Sequence, residues 1–202
     1  MKIGIMGGTF NPIHNVHIQM AKKAKEELSL ERVLFMVAAI PPHKMGRAIA
    51  SEEDRYQMVK LGIAGMEGFS ASRLELDRKG PSYTLYTLRD LKQNFPEDEF
   101  YFILGGDSLF QIHTWYHPEE FIPLCKFIVF ARGDADKQAT LRRCQELESA
   151  YRSQFILVDM PVSRVSSTEI RELAAQGKPI DCYVPKAVAK YIAQKGLYRE
   201  KE

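Results

Sequence analysis

Near its start the chain reads Ile3-Gly4-Ile5-Met6-Gly7-Gly8-Thr9-Phe10-Asn11-Pro12-Ile13-His14-Asn15-Val16-His17, which joins an apolar run to a glycine turn and then to a helical pattern. The run Ile3–Met6 is short and continuously hydrophobic, as in strands buried on both faces of a parallel sheet. Gly7 and Gly8 then turn the chain toward a helix that we expect from about His17 to Leu28. Ligands of open α/β sheets bind at the carboxyl ends of the strands, so this turn is the first candidate for a binding site.

The same alternation of short apolar runs and longer amphipathic stretches continues along the chain. Further buried strands are predicted at Val33–Ala39, Phe100–Leu104, Phe127–Ala131 and Phe155–Val158. Helices are predicted at Ser51–Ala64, Thr84–Asn94, Lys137–Ala150, Thr168–Gln176 and Pro185–Lys195. Strands that alternate with helices over the whole length indicate an α/β fold with a doubly wound, mostly parallel sheet.

No internal repeat and no linker rich in Gly, Ser or Pro divides the chain, so we expect a single domain over residues 1–202. From Ser163 onward the sequence has two helical patterns and little strand character. We therefore expect residues 163–202 to form a C-terminal helical cap on the same domain. Gly177 and Gly196 follow these helices at positions where glycine commonly ends a helix.

Composition and charge narrow the class of protein. Of the 202 residues, 45% are hydrophobic and 27% are charged, which is typical of a globular protein with a sizeable core and excludes a disordered or low-complexity chain. The 28 basic and 26 acidic residues leave a net charge of +2. Since no local basic patch is evident either, we expect no nucleic-acid partner.

The expected compartment is the cytoplasm. The chain has no apolar run of the roughly 18 to 20 residues that a membrane span needs, so no membrane partner is expected, and the glycines after Met6 leave no room for the apolar core of a signal peptide. Cys125, Cys144 and Cys182 stand far apart and form no C-x-x-C pair, which argues against a disulfide framework or a zinc site. Assembly into a homo-oligomer stays open.

The turn at Gly7 and Gly8 has the features of an anion site. Glycine lets backbone N–H groups approach a ligand closely, and a helix N-terminus adds free N–H donors and partial positive charge. The spacing matches neither G-x-G-x-x-G nor the Walker A pattern that ends in G-K-S/T. A dinucleotide-dependent dehydrogenase and a P-loop NTPase therefore lose support.

His14 and His17 stand three residues apart where the helix begins. One helical turn places both rings on the same face, toward the anion site. Two imidazoles there can donate hydrogen bonds to phosphoryl oxygens and stabilise developing charge without acting as nucleophiles. The alternative is structural, with one histidine capping the helix and the other packing.

A second candidate anion site is the segment Ser166-Ser167-Thr168-Glu169-Ile170-Arg171. Ser166 or Ser167 suits the N-cap of the helix that follows, so hydroxyls, helix N–H groups and Arg171 gather at one point. An ordinary capped helix is the alternative. Two separate anion sites in one small α/β domain favour a nucleoside triphosphate over a monophosphate.

These two motifs resemble those of the nucleotidyltransferases marked by H-x-G-H and S-S-T-x-I-R, and within that superfamily the chain is similar to the bacterial nicotinate-nucleotide adenylyltransferases. The resemblance extends over nearly the whole chain through Pro41-Pro42-His43-Lys44, Pro81-Ser82-Tyr83-Thr84, Gly105-Gly106-Asp107 and Trp115-Tyr116. Two positions depart from the family pattern. Asn11 replaces the usual aspartate and keeps a polar turn residue without the charge. Val16 replaces the usual glycine, and its branched side chain is expected to crowd a phosphate or shift the helix entrance.

The resemblance implies a Rossmann-like nucleotidyltransferase fold and one reaction of NAD biosynthesis, in which ATP and nicotinate mononucleotide give deamido-NAD and diphosphate. The mononucleotide phosphate attacks the α-phosphorus of ATP in line, while the protein aligns the reactants and stabilises charge. Mg²⁺ is the implied cofactor, carried mainly by ATP phosphate oxygens and water, so no residue is predicted as a metal ligand. The alternatives are a sister adenylyltransferase for nicotinamide mononucleotide or phosphopantetheine, and a non-catalytic nucleotide-binding sensor in which Val16 blocks chemistry.

The resemblance also implies roles for individual residues. Catalysis is assigned to His14, His17, Lys44 and Arg171, with His17 as the main stabiliser of the transition state. The residues implied to bind ATP are Gly7, Gly8, Thr9, Phe10, His14, His17, Gly105, Asp107, Ser167, Thr168 and Arg171. The residues implied to bind nicotinate mononucleotide are Thr9, Lys44, Tyr83, Thr84 and Trp115.

Structural alternatives stay open for several of these assignments. Lys44 could be an exposed loop lysine, and Asp107 could cap the next helix instead of accepting hydrogen bonds from ribose hydroxyls. Trp115, the only tryptophan, could anchor the core instead of stacking on the pyridine ring, although its polar neighbours favour a surface loop. Tyr83 and Thr84 could simply begin a helix instead of offering N–H groups to the nicotinate carboxylate.

Overall fold

The computed structural model describes residues 1–39, 49–78, 80–131, 134–160 and 165–199. Within these residues the strands are β1 Lys2–Gly8, β2 Arg32–Val37, β3 Phe69–Ser72, β4 Glu99–Gly105, β5 Lys126–Phe130 and β6 Phe155–Val158. They form one sheet in the order β3-β2-β1-β4-β5-β6. Every neighbouring pair is parallel, as the continuous apolar runs predicted.

The described helices are α1 Asn15–Leu28, α2 Glu52–Gly62, α3 Thr84–Asn94, α4 Gly106–Gln111, α5 Pro118–Phe121, α6 Asp134–Tyr151, α7 Ser167–Ala175 and α8 Lys186–Lys195. Short 3₁₀ turns follow α4 and α5 at Ile112–Thr114 and Ile122–Leu124. All of the predicted strands and helices are present, and their ends differ from the prediction by no more than three residues.

The strand order reverses between β1 and β4, where residues 2–5 pair with residues 99–102. At such a point the connections after the two strands leave toward opposite faces of the sheet and open a crevice at its carboxyl edge. The turn after β1 and the start of α4 after β4 therefore border the same crevice.

Apolar side chains alternate along the strands and build a core on each face of the sheet. On β4, Tyr101 and Ile103 belong to the first core cluster, whereas Phe100, Phe102 and Leu104 belong to the second. The first cluster includes buried residues of α1, α2, α7 and α8, and the second includes those of α3 to α6. Helices on both faces of a parallel sheet confirm the predicted doubly wound fold.

Three elements escape the sequence prediction: β3, α4 and α5. The strand β3 reads Phe-Ser-Ala-Ser and pairs only with β2 among the described strands. An edge strand is not required to be apolar on both faces, so it has no continuous hydrophobic run to detect. The C-terminal helices α7 and α8 lie in the same layer as α1 and α2, where Ile170 and Val188 are both fully buried.

Candidate active site

Gly7 and Gly8 are the last two residues of β1, so the turn predicted at these glycines begins after them, and close packing explains why both are glycine. A side chain at Gly8 would place its Cβ 3.1 Å from the ring of Phe10, and one at Gly7 would place it 2.8 Å from the ring of Phe102. Phe10 has a φ of 49°, and its buried ring meets that of His17 edge to face at a centroid distance of 5.2 Å. The turn is thus held tightly against the carboxyl end of β1, beside the first turn of α1.

His14 and His17 lie on one face of the α1 entrance, as their spacing predicts. Their rings stack with centroids 3.7 Å apart and an angle of 24° between the planes. The backbone N–H of His14 donates to Nδ1 of His17 at 3.3 Å. A ring nitrogen that accepts carries no proton, so the neutral His17 ring carries its proton on Nε2 and presents a donor there.

His14 is buried, with 5% of its surface exposed. Its Nδ1 has no hydrogen-bond partner among the described residues. Burial lowers the pKa of His14 to about 4, so the ring is neutral at pH 7. The first turn of α1 contains no acidic side chain, which keeps the partial positive charge of the helix N-terminus uncompensated by carboxylates of that turn.

We expect His14 to make the protein less stable in mild acid. Its folded-state pKa of about 4 lies below the ordinary value of 6.5, so the unfolded chain takes up the proton first as the pH falls. The stability that results is fully present above about pH 6.5 and is lost progressively toward pH 4. Between pH 7 and pH 5 this group lowers the free energy of unfolding by about 2 kcal/mol.

Urea unfolding of the wild type and of His14→Gln, each at pH 7 and at pH 5, measures this effect. The wild type should lose about 2 kcal/mol more than the variant. His113→Gln removes an exposed histidine and serves as the matched control, with a pH dependence like that of the wild type. Equal losses in the wild type and in His14→Gln would contradict a neutral, buried His14.

Val16 makes a core contact, and its expected crowding of a bound phosphate stays a prediction. Its side chain is half-buried and contacts the first core cluster. The helix entrance is also regular, because the N–H of Ile18 donates to the carbonyl of His14 four residues earlier. The valine therefore has a packing role, and the helix entrance is not shifted.

The two predicted anion sites meet in the fold. The hydroxyl of Ser167 donates to the carbonyl of Pro12 at 3.0 Å, across 155 residues of sequence. The Arg171 guanidinium donates to the carbonyl of Asn11 at 2.9 Å and to Oγ1 of Thr168 at 3.2 Å. The start of α7 and the turn after β1 thus form one surface.

Ser166, not Ser167, is the N-cap of α7. Its Oγ accepts from the N–H of Glu169 at 3.2 Å, and the Glu169 carboxylate accepts from the N–H of Ser166 at 2.9 Å. This reciprocal pair is a capping box. Ser167 and Thr168 are consequently the first two helical residues, next to the turn after β1.

Asn11 uses its amide oxygen where the related sequences usually have a carboxylate. The side chain is 5% exposed, and its Oδ1 accepts from the N–H of Ala50 at 3.1 Å and from the hydroxyl of Tyr198 at 2.9 Å. Burial raises the pKa of Tyr198, so the hydroxyl keeps the proton that it donates. The amide satisfies both donors without the cost of burying a negative charge.

The start of α3 is tied to the end of β2. The hydroxyl of Ser82 accepts from the N–H of Ala39 at 2.9 Å. Tyr83 is the N-cap and Thr84 the first helical residue, so both do begin a helix as the structural alternative held. The ring of Tyr83 stacks on that of Tyr116 with centroids 4.3 Å apart, and Tyr116 is 40% exposed.

Trp115 has both a core contact and an exposed neighbour. Its ring meets Phe102 edge to face at 6.1 Å and stacks on Phe121 at 5.9 Å. Both partners belong to the second core cluster, so the buried part of the indole anchors this loop to the core. Tyr116, the next residue, lies at the surface, as the prediction of a surface loop requires.

Gly105 ends β4, and Asp107 follows in the first turn of α4. The N-cap of α4 is Gly105, so Asp107 does not cap this helix, contrary to the structural alternative. The Asp107 side chain is exposed. Its place two residues beyond the end of β4 sets it at the crevice that the turn after β1 also borders.

Lys44 lies outside the described residues, so its assigned role rests on the resemblance alone. Sequence reasoning also missed Arg55 and Tyr198, and it quoted Ser82 within a motif without giving it a role; all three bond to loops of the site. A signal for Arg55 existed: it stands on the buried face of α2 with Met58 and Val59, and an arginine on such a face is rarely without a special set of partners.

Known proteins resemble this chain over nearly its whole length. A family model described as cytidylyltransferase-like matches residues 5–173. The nicotinate-nucleotide adenylyltransferase of Lachnoclostridium phytofermentans is 40% identical over 197 residues, which cover 98% of each chain. The chain belongs to the nicotinate-nucleotide adenylyltransferase family. A further family member, from a Synechococcus strain, is 44% identical over 98% of this chain and 94% of its own, and the protein is accordingly a nucleotidyltransferase enzyme.

Solved structures confirm the fold of this adenylyltransferase. The Plasmodium falciparum nicotinic acid mononucleotide adenylyltransferase complexed with NaAD aligns with a TM-score of 0.77 at 20% identity, over 98% of this chain and 97% of its own. The same protein complexed with APC aligns with a TM-score of 0.76 at 20% identity, over 98% and 96% of the two chains. At 20% identity, these TM-scores show a shared fold and nothing more, and that fold is the Rossmann-like one expected from the sequence.

None of the helices within the described ranges is both long enough and apolar enough to cross a bilayer.

Proposed function

We propose that this enzyme transfers the adenylyl group of ATP to nicotinate mononucleotide, giving deamido-NAD and diphosphate, as a step of NAD biosynthesis. A phosphate oxygen of the mononucleotide forms a bond to the α-phosphorus of ATP while the bond to the β-phosphate oxygen breaks, and diphosphate leaves. The observation that supports the proposal best is that hydrogen bonds join the start of α7 to the turn after β1, which brings the two predicted anion sites together. The full-length relatives of that name support the choice of substrates.

The triphosphate end of the site follows from the donors that converge there. Gly7 and Gly8 bring backbone N–H groups to the phosphates, Thr9 and Phe10 complete the loop, and His14 stacks on His17 to orient it. Nε2 of His17 donates to the transferred phosphoryl group as its charge builds. Ser167, Thr168 and Arg171 bind the β- and γ-phosphates. Gly105 and Asp107 lie beside the ribose, and the Asp107 carboxylate accepts hydrogen bonds from its hydroxyls.

The mononucleotide end lies at the start of α3. The N–H of Thr84 binds the nicotinate carboxylate, supported by the partial positive charge of the helix N-terminus. The N–H of Tyr83 joins it when substrate displaces the carbonyl of Pro81, to which this N–H donates at 3.1 Å. The exposed part of Trp115 stacks on the pyridine ring. Thr9 and Lys44 contact the mononucleotide phosphate, with the lysine acting as a point charge.

Mg²⁺ enters this proposal as part of the substrate. The groups that meet at the turn after β1 are amides, imidazoles, hydroxyls and a guanidinium, which bind phosphate oxygens and do not suit a resident Mg²⁺ ion, whose preferred ligands are carboxylate, phosphate and water oxygens. The ion would neutralise the triphosphate while bound to its oxygens. Within the described residues the group of three potential metal ligands is exposed, at His117, Glu119 and Glu120.

The whole chain is further proposed to act as one domain in the cytoplasm. Cys125, Cys144 and Cys182 are unpaired, which supports a reducing compartment. Burial raises the pKa of Cys144 to about 11, so this thiol stays protonated and chemically idle.

One assay tests the function. Diphosphate release from MgATP is measured with nicotinate mononucleotide, nicotinamide mononucleotide and phosphopantetheine as separate acceptors. The expected result is rapid release with nicotinate mononucleotide. A higher rate with either of the others would assign the enzyme to that acceptor, and ATP binding without release for all three would identify a nucleotide sensor.

Restoring the family glycine at position 16 is expected to lower stability without a kinetic gain. Val16→Gly removes a half-buried side chain from the first core cluster and places glycine inside a helix, which together lower the free energy of unfolding by about 1 to 2 kcal/mol. Urea unfolding measures this loss, and the rate of diphosphate release should stay within about twofold of the wild type.

Val16→Ala is the matched control, because it trims the side chain while keeping good helix propensity. It should recover part of the stability lost in Val16→Gly. A several-fold rise in turnover for Val16→Gly would show instead that the valine crowds the phosphates.

A further inference from the structure

One buried cation joins the loops around the site. Arg55 on α2 is 1% exposed, and its guanidinium donates to four backbone carbonyls. The acceptors are Thr9 at 2.9 Å, Ala38 at 2.6 Å, Ala39 at 2.9 Å and Ala50 at 3.2 Å. No carboxylate of the described residues forms an ion pair with it, so carbonyl dipoles replace its hydration shell.

The four carbonyls belong to two loops, the one between β1 and α1 and the one between β2 and α2. Thr9 lies in the turn after β1, Ala38 and Ala39 follow β2, and Ala50 precedes α2. The Ala39 peptide continues the connection, because its N–H donates to the hydroxyl of Ser82 just before α3. One guanidinium therefore bonds directly to the loop assigned to ATP and, through a single peptide, to the segment assigned to the mononucleotide.

We propose that Arg55 is a positioning residue that sets the distance between the ATP subsite and the mononucleotide subsite. The inference rests on the proposed function and names a residue that touches neither substrate. In-line transfer needs the attacking oxygen and the α-phosphorus held in near-attack geometry, and a displacement of about 1 Å costs about 100-fold in rate. A residue that bonds to both loops controls that separation directly.

The chemistry of the side chain fits this task. A guanidinium offers five N–H donors in a rigid plane, which is how one residue reaches four carbonyls of two loops. Lysine has three donors on a compact ammonium group and does not reproduce the planar fork. Burying a charge that is held only by carbonyls costs solvation energy, so stability alone is a poor reason to place an arginine here.

The test uses Arg55→Lys, with Arg73→Lys as the matched control. Arg73 makes surface ion pairs with Glu53 and Asp77, so the same chemical change there should leave kcat unaltered. For Arg55→Lys we expect kcat to fall about 30-fold at saturating substrates. The Kd values for ATP alone and for nicotinate mononucleotide alone should stay within about threefold of the wild type, because each subsite keeps its own contacts.

A binding readout separates a spacing role from a general structural one. Deamido-NAD spans both subsites, so its affinity should drop at least about tenfold in Arg55→Lys while the two halves bind normally. Affinity for the dinucleotide within threefold of the wild type, or a tenfold loss confined to one half, would overturn the inference.

Ser82→Ala keeps the test decisive if Arg55→Lys does not fold. This substitution removes the hydroxyl that accepts from the N–H of Ala39, at a side chain that is only half-buried. The affinity for deamido-NAD should fall several-fold, while the Kd for ATP stays unchanged. An unchanged dinucleotide affinity in this variant would count against the connection. A wild type that neither releases diphosphate nor binds deamido-NAD would contradict the proposed function and the inference with it, whereas an active wild type with unaltered variants would overturn the inference alone.

Discussion

His17→Ala is expected to lower the rate of diphosphate release about 100-fold or more. Nδ1 of His17 accepts the backbone N–H of His14, which leaves Nε2 as a fixed donor beside the turn after β1. Removing a preorganised donor at the point where phosphoryl charge develops raises the barrier by several kcal/mol. Steady-state kinetics with MgATP and nicotinate mononucleotide provide the measurement.

The same substitution has a smaller effect on folding. The alanine variant leaves the N–H of His14 without its ring acceptor, at a cost of about 1 kcal/mol in the free energy of unfolding. Urea unfolding shows whether the variant is folded, and His113→Ala, at an exposed histidine, controls for the loss of an imidazole elsewhere. Near-normal turnover in a folded His17→Ala protein would remove His17 from the mechanism.

The second large effect concerns substrate charge. Nicotinate mononucleotide carries a ring carboxylate at neutral pH, whereas nicotinamide mononucleotide carries a neutral amide. The N–H of Thr84 can pair with a carboxylate oxygen, and the N–H of Tyr83 can do the same once it leaves the carbonyl of Pro81, to which it donates at 3.1 Å. The amide would direct its NH₂ group against one of these donors. A charge-assisted hydrogen bond contributes about 1.5 to 3 kcal/mol, and an unpaired buried partner costs about 1 to 3 kcal/mol. The acid should therefore be preferred about 100-fold or more in kcat/KM.

Trp115→Ala provides the control for that preference. Either pyridine ring can stack on the indole, so the variant should weaken both mononucleotides while their ratio of kcat/KM stays nearly constant. The half-buried ring also packs on Phe102 and Phe121, so its removal lowers the free energy of unfolding. The kinetic assays are therefore run well below the melting temperature of the variant. Equal kcat/KM for acid and amide in the wild type would contradict the assignment of the carboxylate site to α3.

Much of the fold could be predicted from local patterns. Runs such as Ile3–Met6 and Phe100–Leu104 are buried on both faces of the sheet, and this burial dictates their composition. The histidine pair shares a helix face because three residues make nearly one turn, and the stacked rings agree with that geometry. The edge strand Phe69–Ser72 escaped because partial burial imposes a weaker pattern.

The site was only partly predictable for a related reason. Val16 was expected to crowd a phosphate or shift the helix entrance, and its contact with the first core cluster was not predicted because it depends on which elements pack beside α1. Asn11 was recognised as a departure from the family pattern, yet its partners Ala50 and Tyr198 come from distant segments. Neither contact leaves a trace within a few residues of either position.

The sequence by itself determined the strand and helix pattern, the two anion-binding motifs and the family to which they belong, because each depends on residue types within a few positions of one another. Only the tertiary structure decided that Ser167 meets Pro12, that His14 is buried and neutral, and that Arg55 bonds to two loops. Those facts depend on the tertiary arrangement, since parallel strands bring the loops that follow them, far apart in sequence, to one edge of the sheet.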